Sequence, residues 1–281
     1  MYGCQWHEIG EVDLEEHVSG RLKADRIRKM LQTDRWTIHY MESVDSTNNW
    51  ARREAEKGAP EGSVYLADTQ TAGKGSRGRS WGSPEGTSIS MSLILRPQIE
   101  LSRISMLTLV MGLGAAEGIR EMAGMEIGIK WPNDVVCRGR KLCGILTEMG
   151  PDGHYVIPGI GINVNMDHFP QDLTEKATSV LLETGRRGDR DRIAAGVLVA
   201  FGKYYDRFLE TGDLTGLMKR YQTILANRGK KVRVLNQTDP YNGTALGIDR
   251  YGELLVKRDD TGKTEKVFAG EVSVRGIYGY V

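Results

Sequence analysis

Cysteine is scarce in this chain of 281 residues, which contains only Cys4, Cys137 and Cys143. An odd, sparse set without close C-x-x-C spacing argues against a disulfide framework and against a structural zinc site. Cys4 and His7 lie near each other, but two ligands do not make such a site. We therefore expect reduced thiols, as in a cytosolic protein.

Long apolar runs and strong charge are also missing. No stretch approaches the ~20 apolar residues that span a bilayer, and residues 1–18 lack the basic start and apolar run of a signal peptide. These features predict a soluble, cytoplasmic protein. The net charge of +1 gives no overall field toward nucleic acid or anionic membranes.

Glycine, by contrast, is abundant. The chain has 35 glycines but only 8 prolines, so glycine makes up about 12% of it, against about 7% in an average protein. The glycines cluster in short segments between periodic runs. This pattern predicts tight turns and backbone that approaches a ligand.

Periodicity predicts an α+β chain. The expected helices cover 20–32, 103–123 and 213–226, with others after the capping residues 45–48 and 189–191. The expected strands cover 36–44, 63–69, 88–95 and 154–165, with a strand–turn–strand unit over 126–149 that turns at Arg138-Gly139. We expect 88–95 to be half-buried, because its apolar residues alternate, and helix 45–57 to stop at Gly58.

From Gly229 onward, short strands recur about every ten residues. Turn signals occur at Asn242-Gly243, 250–252 and 260–262. That spacing predicts a small β-barrel of about 50 residues. The chain is thus divided into an N-terminal helical extension (1–40), a catalytic domain (41–228) and a C-terminal barrel (229–281).

Four polar segments could carry chemistry. Residues 70–81 combine glycines, Lys74, Arg77 and Arg79, which suits an anion nest, although a solvated basic loop has the same composition. Residues 45–48 could cap a helix or bind the polar end of a ligand. The third is 130–134 with Lys141 across a hairpin, where Asp134 and Lys141 could form an exposed ion pair or act on a substrate. The fourth is 159–165, whose alternating glycines leave one strand face bare, either for tight packing or as a flat wall for a ring.

In combination and order, these segments resemble the biotin–protein ligase family. The motifs are D-S-T-N, Q-T-A-G-K-G-x-x-G-R-x-W, K-W-P-N-D, R-K-L-x-G-I-L-x-E and G-I-G-I-N-V-N. The resemblance runs from about Val44 to the C-terminus. It implies a mixed-sheet core related to class II synthetase-like and lipoate ligase cores, plus an SH3-like barrel.

The resemblance also implies activation of biotin with Mg-ATP to biotinyl-5'-AMP, and transfer to a lysine of a biotin carboxyl carrier protein. It assigns catalysis to Lys141, Asp134 and Arg79. It assigns biotin contacts to Ser46, Thr47, Asn48, Gln70, Lys74, Gly75, Ser76, Lys141, Gly144 and Leu146. It assigns ATP contacts to Lys74, Arg77, Arg79, Trp81, Lys130, Asn133 and Asn163, with Asn163 also on the metal side. A homodimer is a further expectation from the family.

Two departures from the family pattern stand out. The usual loop is G-R-G-R-x-G-R-x-W, and here Lys74 and Ser76 replace its first two arginines. Ser76 loses a charge and a guanidinium fork, which predicts weaker retention of the adenylate. Regulatory members also carry a winged helix of about 60 residues ahead of this core, whereas only residues 1–44 precede it here. We therefore expect no specific DNA binding.

Two alternatives remain open. A lipoate–protein ligase shares a related core, although the barrel and the K-W-P-N-D and R-K-L-x-G motifs favour biotin. An RNA-binding module would fit a basic loop beside a small barrel. The net charge of +1 and the lack of interleaved aromatic residues argue against RNA binding.

Overall fold

The computed structural model describes residues 20–236, 239–269, 273–276 and 280–281. Cys4, His7 and the first half of the predicted extension lie outside this part. Its helices are α1 (Ala24–Leu31), α2 (Thr47–Glu56), α3 (Met106–Ala123), α4 (Val180–Thr184), α5 (Arg190–Thr211) and α6 (Met218–Ile224). None of these helices is long and apolar enough to cross a membrane.

A seven-stranded sheet forms the core of the molecule. Its strands are β1 (Thr37–Val44), β2 (Ser63–Gln70), β3 (Ser88–Leu93), β4 (Gly128–Lys130), β5 (Asp134–Cys137), β6 (Arg140–Met149) and β7 (Val156–Asn163). They lie in the order β1-β2-β3-β7-β6-β5-β4. Only β1 and β2 pair in parallel, so the sheet is mixed. The predicted α+β class is confirmed.

Helices α3 and α5 pack against each other beside this sheet. Two glycines of α3 permit the close approach. A Cβ at Gly114 would lie 2.7 Å from Phe201 Cα, and one at Gly118 would lie 2.4 Å from Val197 N. Helix α5 begins as predicted, because the Asp189 carboxylate accepts a hydrogen bond from the Arg192 N–H.

Strand β3 corrects the expectation of a half-buried strand. Ser88, Ser90 and Ser92, on the face predicted to be exposed, are at most 1% exposed. Helix α2 packs against β2 and β3 and covers part of that face. The serine hydroxyls find partners there: Ser90 Oγ lies 3.0 Å from Ser83 Oγ. Alternation alone could not reveal this second layer.

A buried ion pair ties the segment before α1 to the core. The Arg190 guanidinium donates to Asp68 at 2.7 Å and to the Gly20 carbonyl at 2.7 Å. The Leu22 N–H and the Tyr40 hydroxyl also donate to Asp68. The Arg190 and Asp68 side chains are 5% and 0% exposed, so removing either one would leave a buried charge unpaired.

A second, antiparallel sheet follows residue 228. Its strands are β8 (Lys231–Leu235), β9 (Tyr241–Ile248), β10 (Leu254–Arg258), β11 (Thr264–Val267) and β12 (Ser273–Gly276), in the order β11-β10-β9-β8-β12. The predicted turn at Asn242-Gly243 is wrong, because both residues lie within β9. Glycine is required there since a Cβ at Gly243 would lie 2.5 Å from the Lys257 carbonyl oxygen.

Trp131 joins the two sheets. It is 1% exposed. Its indole N–H donates to the Gly252 carbonyl in the turn before β10 at 2.9 Å, and its backbone N–H donates to Asn227 at 2.7 Å. The small sheet is therefore packed directly on the K-W-P-N-D segment, where sequence motifs had indicated chemistry.

Candidate active site

A recess of about 430 Å³, open to solvent, lies where β6 and β7 meet α2 and the loop after β2. Its lining residues are Ser46, Thr47, Asn48, Gln70, Lys74, Gly75, Ser76, Trp81, Asn133, Lys141, Gly144, Ile145, Leu146, Gly159, Ile160 and Gly161. The fold thus brings together all the predicted biotin contacts, with Trp81 and Asn133. The other predicted residues, Asp134, Arg77, Arg79, Lys130 and Asn163, are not part of this lining.

The start of α2 forms one end of the recess. Ser46 occupies the N-cap position, but its side chain accepts no hydrogen bond from the helix. Gln70 Oε1 accepts from the Thr47 N–H at 2.8 Å instead. The Asp45 carboxylate accepts a hydrogen bond from the Arg53 guanidinium, and this bond holds the pKa of the Asp45 carboxyl below its usual range. Gln70 therefore takes the place of the predicted side-chain cap, and the Ser46 hydroxyl makes no hydrogen bond to the start of the helix.

Asn48 is fixed by a network that sequence reasoning missed in part. Its amide NH₂ donates to Glu148 at 2.7 Å and to the Leu146 carbonyl at 3.2 Å. Its oxygen accepts from Ser92 Oγ at 2.6 Å. Glu148 ends the R-K-L-x-G-I-L-x-E motif and could have been assigned a role. Ser92 carried no signal beyond its place in an alternating strand.

The glycines of β7 leave one strand face bare, and this face is called the wall; the Asn48 and Trp81 side chains pack against it. A Cβ at Gly159 would lie 1.8 Å from Asn48 Oδ1, and one at Gly161 would lie 2.4 Å from the Trp81 ring. The Trp81 indole therefore lies directly on bare backbone. Its N–H is buried with no hydrogen-bond acceptor in the described part of the chain. Such an unpaired donor is costly unless a ligand or water satisfies it.

The loop from Gly73 to Trp81 is a small hairpin over the recess. The Gly75 N–H donates to the Arg79 carbonyl at 2.7 Å, and the Trp81 N–H donates to the Gly73 carbonyl at 2.9 Å. Lys74 crosses to α2, where its ammonium donates to Asn49 at 2.6 Å. It also lies 3.8 Å from Glu148 Oε1. Lys74 thus links the loop to the network around Asn48.

Two predicted phosphate contacts lie on the exposed side of this loop. Arg79 donates to the Ser76 carbonyl at 3.2 Å and to the Ser76 hydroxyl at 3.1 Å. Arg77 is exposed and has a positive φ of 60°. Both guanidinium groups belong to the segment that contributes Lys74, Gly75 and Ser76 to the recess. Neither Arg77 nor Arg79 lines it.

Lys141 and Asp134 form an ion pair beside the recess. Val136 lies opposite Lys141 in the β5–β6 hairpin, as the turn at Arg138-Gly139 predicted. The Lys141 ammonium lies 2.6 Å from Asp134 Oδ1. Gly144, opposite Asp134, leaves space for this ammonium, because a Cβ there would lie 3.1 Å from Lys141 Nζ. A cation at the recess is thereby held in place by a carboxylate.

Lys130 lies beside this pair in an unusual environment. It is 8% exposed, and burial lowers the pKa of its ammonium to about 8. The ammonium lies 3.5 Å from the centre of the Tyr280 ring. The Tyr280 hydroxyl donates to Asp134 Oδ2 at 2.5 Å. No motif indicated Tyr280, which approaches this group from the other end of the chain.

The side-chain amides of Asn163 and Asn133 both donate hydrogen bonds to backbone carbonyl groups. Asn163 is 4% exposed and donates its amide to the Thr178 carbonyl at 3.1 Å. Asn163 lies on the same face of β7 as Gly159 and Gly161 and is the next residue on that face after Gly161. Asn133 donates to the Ile145 carbonyl at 3.0 Å. Among the described residues there is no cluster of three or more His, Cys, Asp or Glu side chains that could hold a metal ion.

The described cysteines offer no reactive thiol. Cys137 and Cys143 are both free and buried. Burial raises the pKa of the Cys137 thiol to about 11 and raises that of Cys143 as well. Thiolate chemistry at these positions is therefore disfavoured at neutral pH.

Comparison with known proteins identifies the family. Residues 40–165 match the model of the biotin/lipoate A/B protein ligase family, and residues 229–275 match that of the biotin protein ligase C terminal domain. The biotin–[acetyl-CoA-carboxylase] ligase of Mycobacterium tuberculosis is 33% identical over 81% of this chain and 85% of its own length. The chain belongs to the biotin–protein ligase family.

Other biotin ligases are also similar to this chain over most of its length. The bifunctional ligase/repressor BirA of Bacillus subtilis is 37% identical over 91% of this chain and 80% of its own length. A biotin protein ligase structure from Aquifex aeolicus, in complex with biotin and ATP, superposes with a TM-score of 0.75. It is 29% identical and covers 85% of this chain and 99% of its own. These relatives favour the biotin ligase over the two alternatives, the lipoate ligase and the RNA-binding module.

Proposed function

We propose that this protein is an enzyme that joins biotin to a lysine of a biotin carboxyl carrier protein at the cost of ATP. The observation that carries the proposal is the Lys141 ammonium, held by Asp134 at the recess between the Asn48 network and the cationic loop. Membership of the biotin–protein ligase family supports it. In this proposal a small uncharged ring binds at the Asn48 end of the recess, and a carboxylate binds beside Lys141.

In the first step, a biotin carboxylate oxygen attacks the α-phosphorus of ATP. The bond from that phosphorus to the bridging oxygen breaks, and pyrophosphate leaves with the electron pair. Ser46, Thr47, Asn48 and Gln70 bind the polar ring of biotin, which is bordered by the wall at Gly159 and by the Trp81 indole that packs on Gly161. Lys141 offsets the repulsion between carboxylate and phosphate, and Lys74, Arg77 and Arg79 bind phosphate oxygens.

In the second step, the amine of the acceptor lysine attacks the carbonyl carbon of biotinyl-5'-AMP. The bond from that carbon to the phosphate oxygen breaks, and AMP leaves with the electron pair. Asp134 orients the amine and accepts its proton. The hairpin from Gly73 to Trp81 keeps water from the mixed anhydride, which would otherwise hydrolyse.

Mg²⁺ enters with ATP as part of the substrate in this proposal. Magnesium is usually held by one or two protein oxygens together with phosphates and waters. Asn163 would supply an oxygen on the metal side, because its amide NH₂ is already bonded to Thr178.

Exchange of labelled pyrophosphate into ATP tests the first step. We expect exchange that requires biotin and is not supported by lipoate at the same concentration. Exchange with lipoate but not biotin would assign the chain to the other branch of the matched ligase family. Salt-sensitive RNA binding without either exchange reaction would instead support the RNA-binding module.

The loop residue Ser76 gives a prediction about the intermediate. Its hydroxyl accepts from Arg79, and it offers none of the five donors of an arginine. The Ser76→Arg variant should release biotinyl-5'-AMP about 10- to 150-fold more slowly, the range of one added hydrogen bond to a charged group. Dissociation after rapid dilution, measured by fluorescence or filter retention, checks this. Equal rates would contradict it.

Lys130 gives a prediction about pH. Its ammonium is charged below its pKa of about 8 and neutral above it. If Lys130 binds ATP phosphate, the KM for ATP should rise from about pH 8 upward, by up to tenfold per pH unit. Lys130→Arg, which stays charged, should flatten the profile. Pyrophosphate release, measured without a carrier protein, excludes titration of the acceptor lysine. A wild-type KM that does not change up to pH 9 would contradict the assignment.

Three further expectations belong to the same proposal. They are the division into an extension, a catalytic domain and a barrel at residues 40 and 228, a homodimer, and a cytoplasmic location. The match of residues 229–275 to the C-terminal domain model supports the second boundary.

A further inference from the structure

Tyr280 lies at the junction of three groups to which the proposed function assigns chemistry. Its hydroxyl donates to Asp134 Oδ2 at 2.5 Å, and its ring lies 3.5 Å from the Lys130 ammonium. Asp134 Oδ1 in turn lies 2.6 Å from Lys141. Both oxygens of one carboxylate are thus occupied by separate elements, Lys141 from the hairpin and Tyr280 from the C-terminal end.

We propose that Tyr280 is a positioning residue that fixes the Asp134 carboxylate for the transfer step and holds the Lys130 ammonium for ATP. The inference rests on the proposed function. Tyr280 acts through Asp134 and Lys130 rather than on the substrate, because its hydroxyl and its ring are already in contact with those two groups. The small C-terminal domain thereby contributes a functional group to a site built on the large sheet.

The geometry of the carboxylate supports this role. With only Lys141 bound, a carboxylate can rotate about its Cβ–Cγ bond, because a single ammonium contact does not fix its plane. A hydrogen bond to the other oxygen, added to this ion pair, fixes the plane and leaves the remaining lone pairs in defined directions. An incoming amine must meet one of those lone pairs to be oriented.

The ring of Tyr280 has a separate effect on Lys130. The face of an aromatic ring attracts a cation, and the attraction is larger where water is excluded. Lys130 is only 8% exposed, and its contact with the ring offsets part of the cost of burying the ammonium. The ring and the hydroxyl of Tyr280 therefore serve two different partners, and two substitutions can separate them.

Tyr280→Phe keeps the ring and removes only the hydroxyl. We expect it to slow transfer from preformed biotinyl-5'-AMP to a carrier domain about tenfold, the usual effect of losing one hydrogen bond to a charged group. The KM for ATP in pyrophosphate exchange and the Tm should stay at wild-type values. Tyr280→Ala should in addition raise the KM for ATP, because the ring over Lys130 is lost.

A double-mutant cycle with Asp134→Asn tests whether Tyr280 acts through Asp134. In the Asp134→Asn background, Tyr280→Phe should cause no further loss of transfer rate. Tyr251→Phe, at an exposed tyrosine of the same domain, is the matched control and should transfer at the wild-type rate.

Three results would overturn the inference: wild-type transfer by Tyr280→Phe, a parallel fall of both half-reactions with the Tm, or additive losses in the cycle. Failure of the wild-type enzyme to transfer biotin would be a different result. It would contradict the proposed function itself, which the wild-type arm of the experiment measures separately.

Discussion

Lys141→Ala should lower the rate of biotin-dependent adenylate formation by about 10²–10³-fold, the usual cost of removing one donor from developing transition-state charge. The expected loss is large for two reasons. The ammonium that offsets carboxylate–phosphate repulsion disappears, and Asp134 remains beside the reacting groups without its 2.6 Å partner. Pyrophosphate release in a single turnover at saturating biotin and ATP measures the effect on kcat.

Lys176→Ala is the matched control for lost charge. Lys176 is exposed, and its backbone carbonyl accepts from the Lys141 N–H at 2.7 Å. Its side chain points to the Asp172 carbonyl, and the variant should react at the wild-type rate. If both lysine variants form the adenylate normally, Lys141 does not have the assigned role.

Gly159→Ala should raise the KM for biotin about 10- to 100-fold. The added Cβ would lie 1.8 Å from Asn48 Oδ1, which forces the Asn48 side chain to move. Asn48 is bonded to Ser92, Glu148 and Leu146, so no free rotamer keeps these bonds. Losing two of these three hydrogen bonds, at about 1 kcal/mol each, together with the blocked wall, gives that range.

Gly82→Ala is the matched control for this substitution. Gly82 is exposed, follows the loop directly, and has no atom within 4 Å of an added Cβ. It should bind biotin as the wild type does. Isothermal titration with biotin separates the affinity from effects on chemistry. Equal affinities for the Gly159→Ala and Gly82→Ala variants would exclude the wall as part of the biotin site.

Much of the site could be predicted because its residues belong to contiguous motifs. The hairpin turn at Arg138-Gly139 alone fixed the pairing of residue 136 with Lys141. The alternating glycines of β7 indicated a bare strand face, and the structure places Asn48 and Trp81 against it. In each case local spacing determined geometry within one strand or one hairpin.

The parts that could not be predicted depend on contacts between distant segments. Ser92 meets Asn48 across 44 positions, and Tyr280 meets Asp134 across 146. The second face of β3 is buried because α2 packs against it, and the sequence pattern within 88–95 does not indicate this packing. Gln70 replaces the expected side-chain cap of α2 because β2 ends beside the start of that helix. Each of these features follows from packing rather than from local propensity.

Mass spectrometry of a carrier domain, incubated with the wild-type protein, biotin and Mg-ATP, tests the central claim most directly. The account predicts the mass of one biotin, less water, on a single lysine, and no addition when ATP is omitted or lipoate replaces biotin. Lys141→Ala should form this product about 10²–10³-fold more slowly. A carrier domain of unchanged mass after incubation with the wild-type protein would contradict the account.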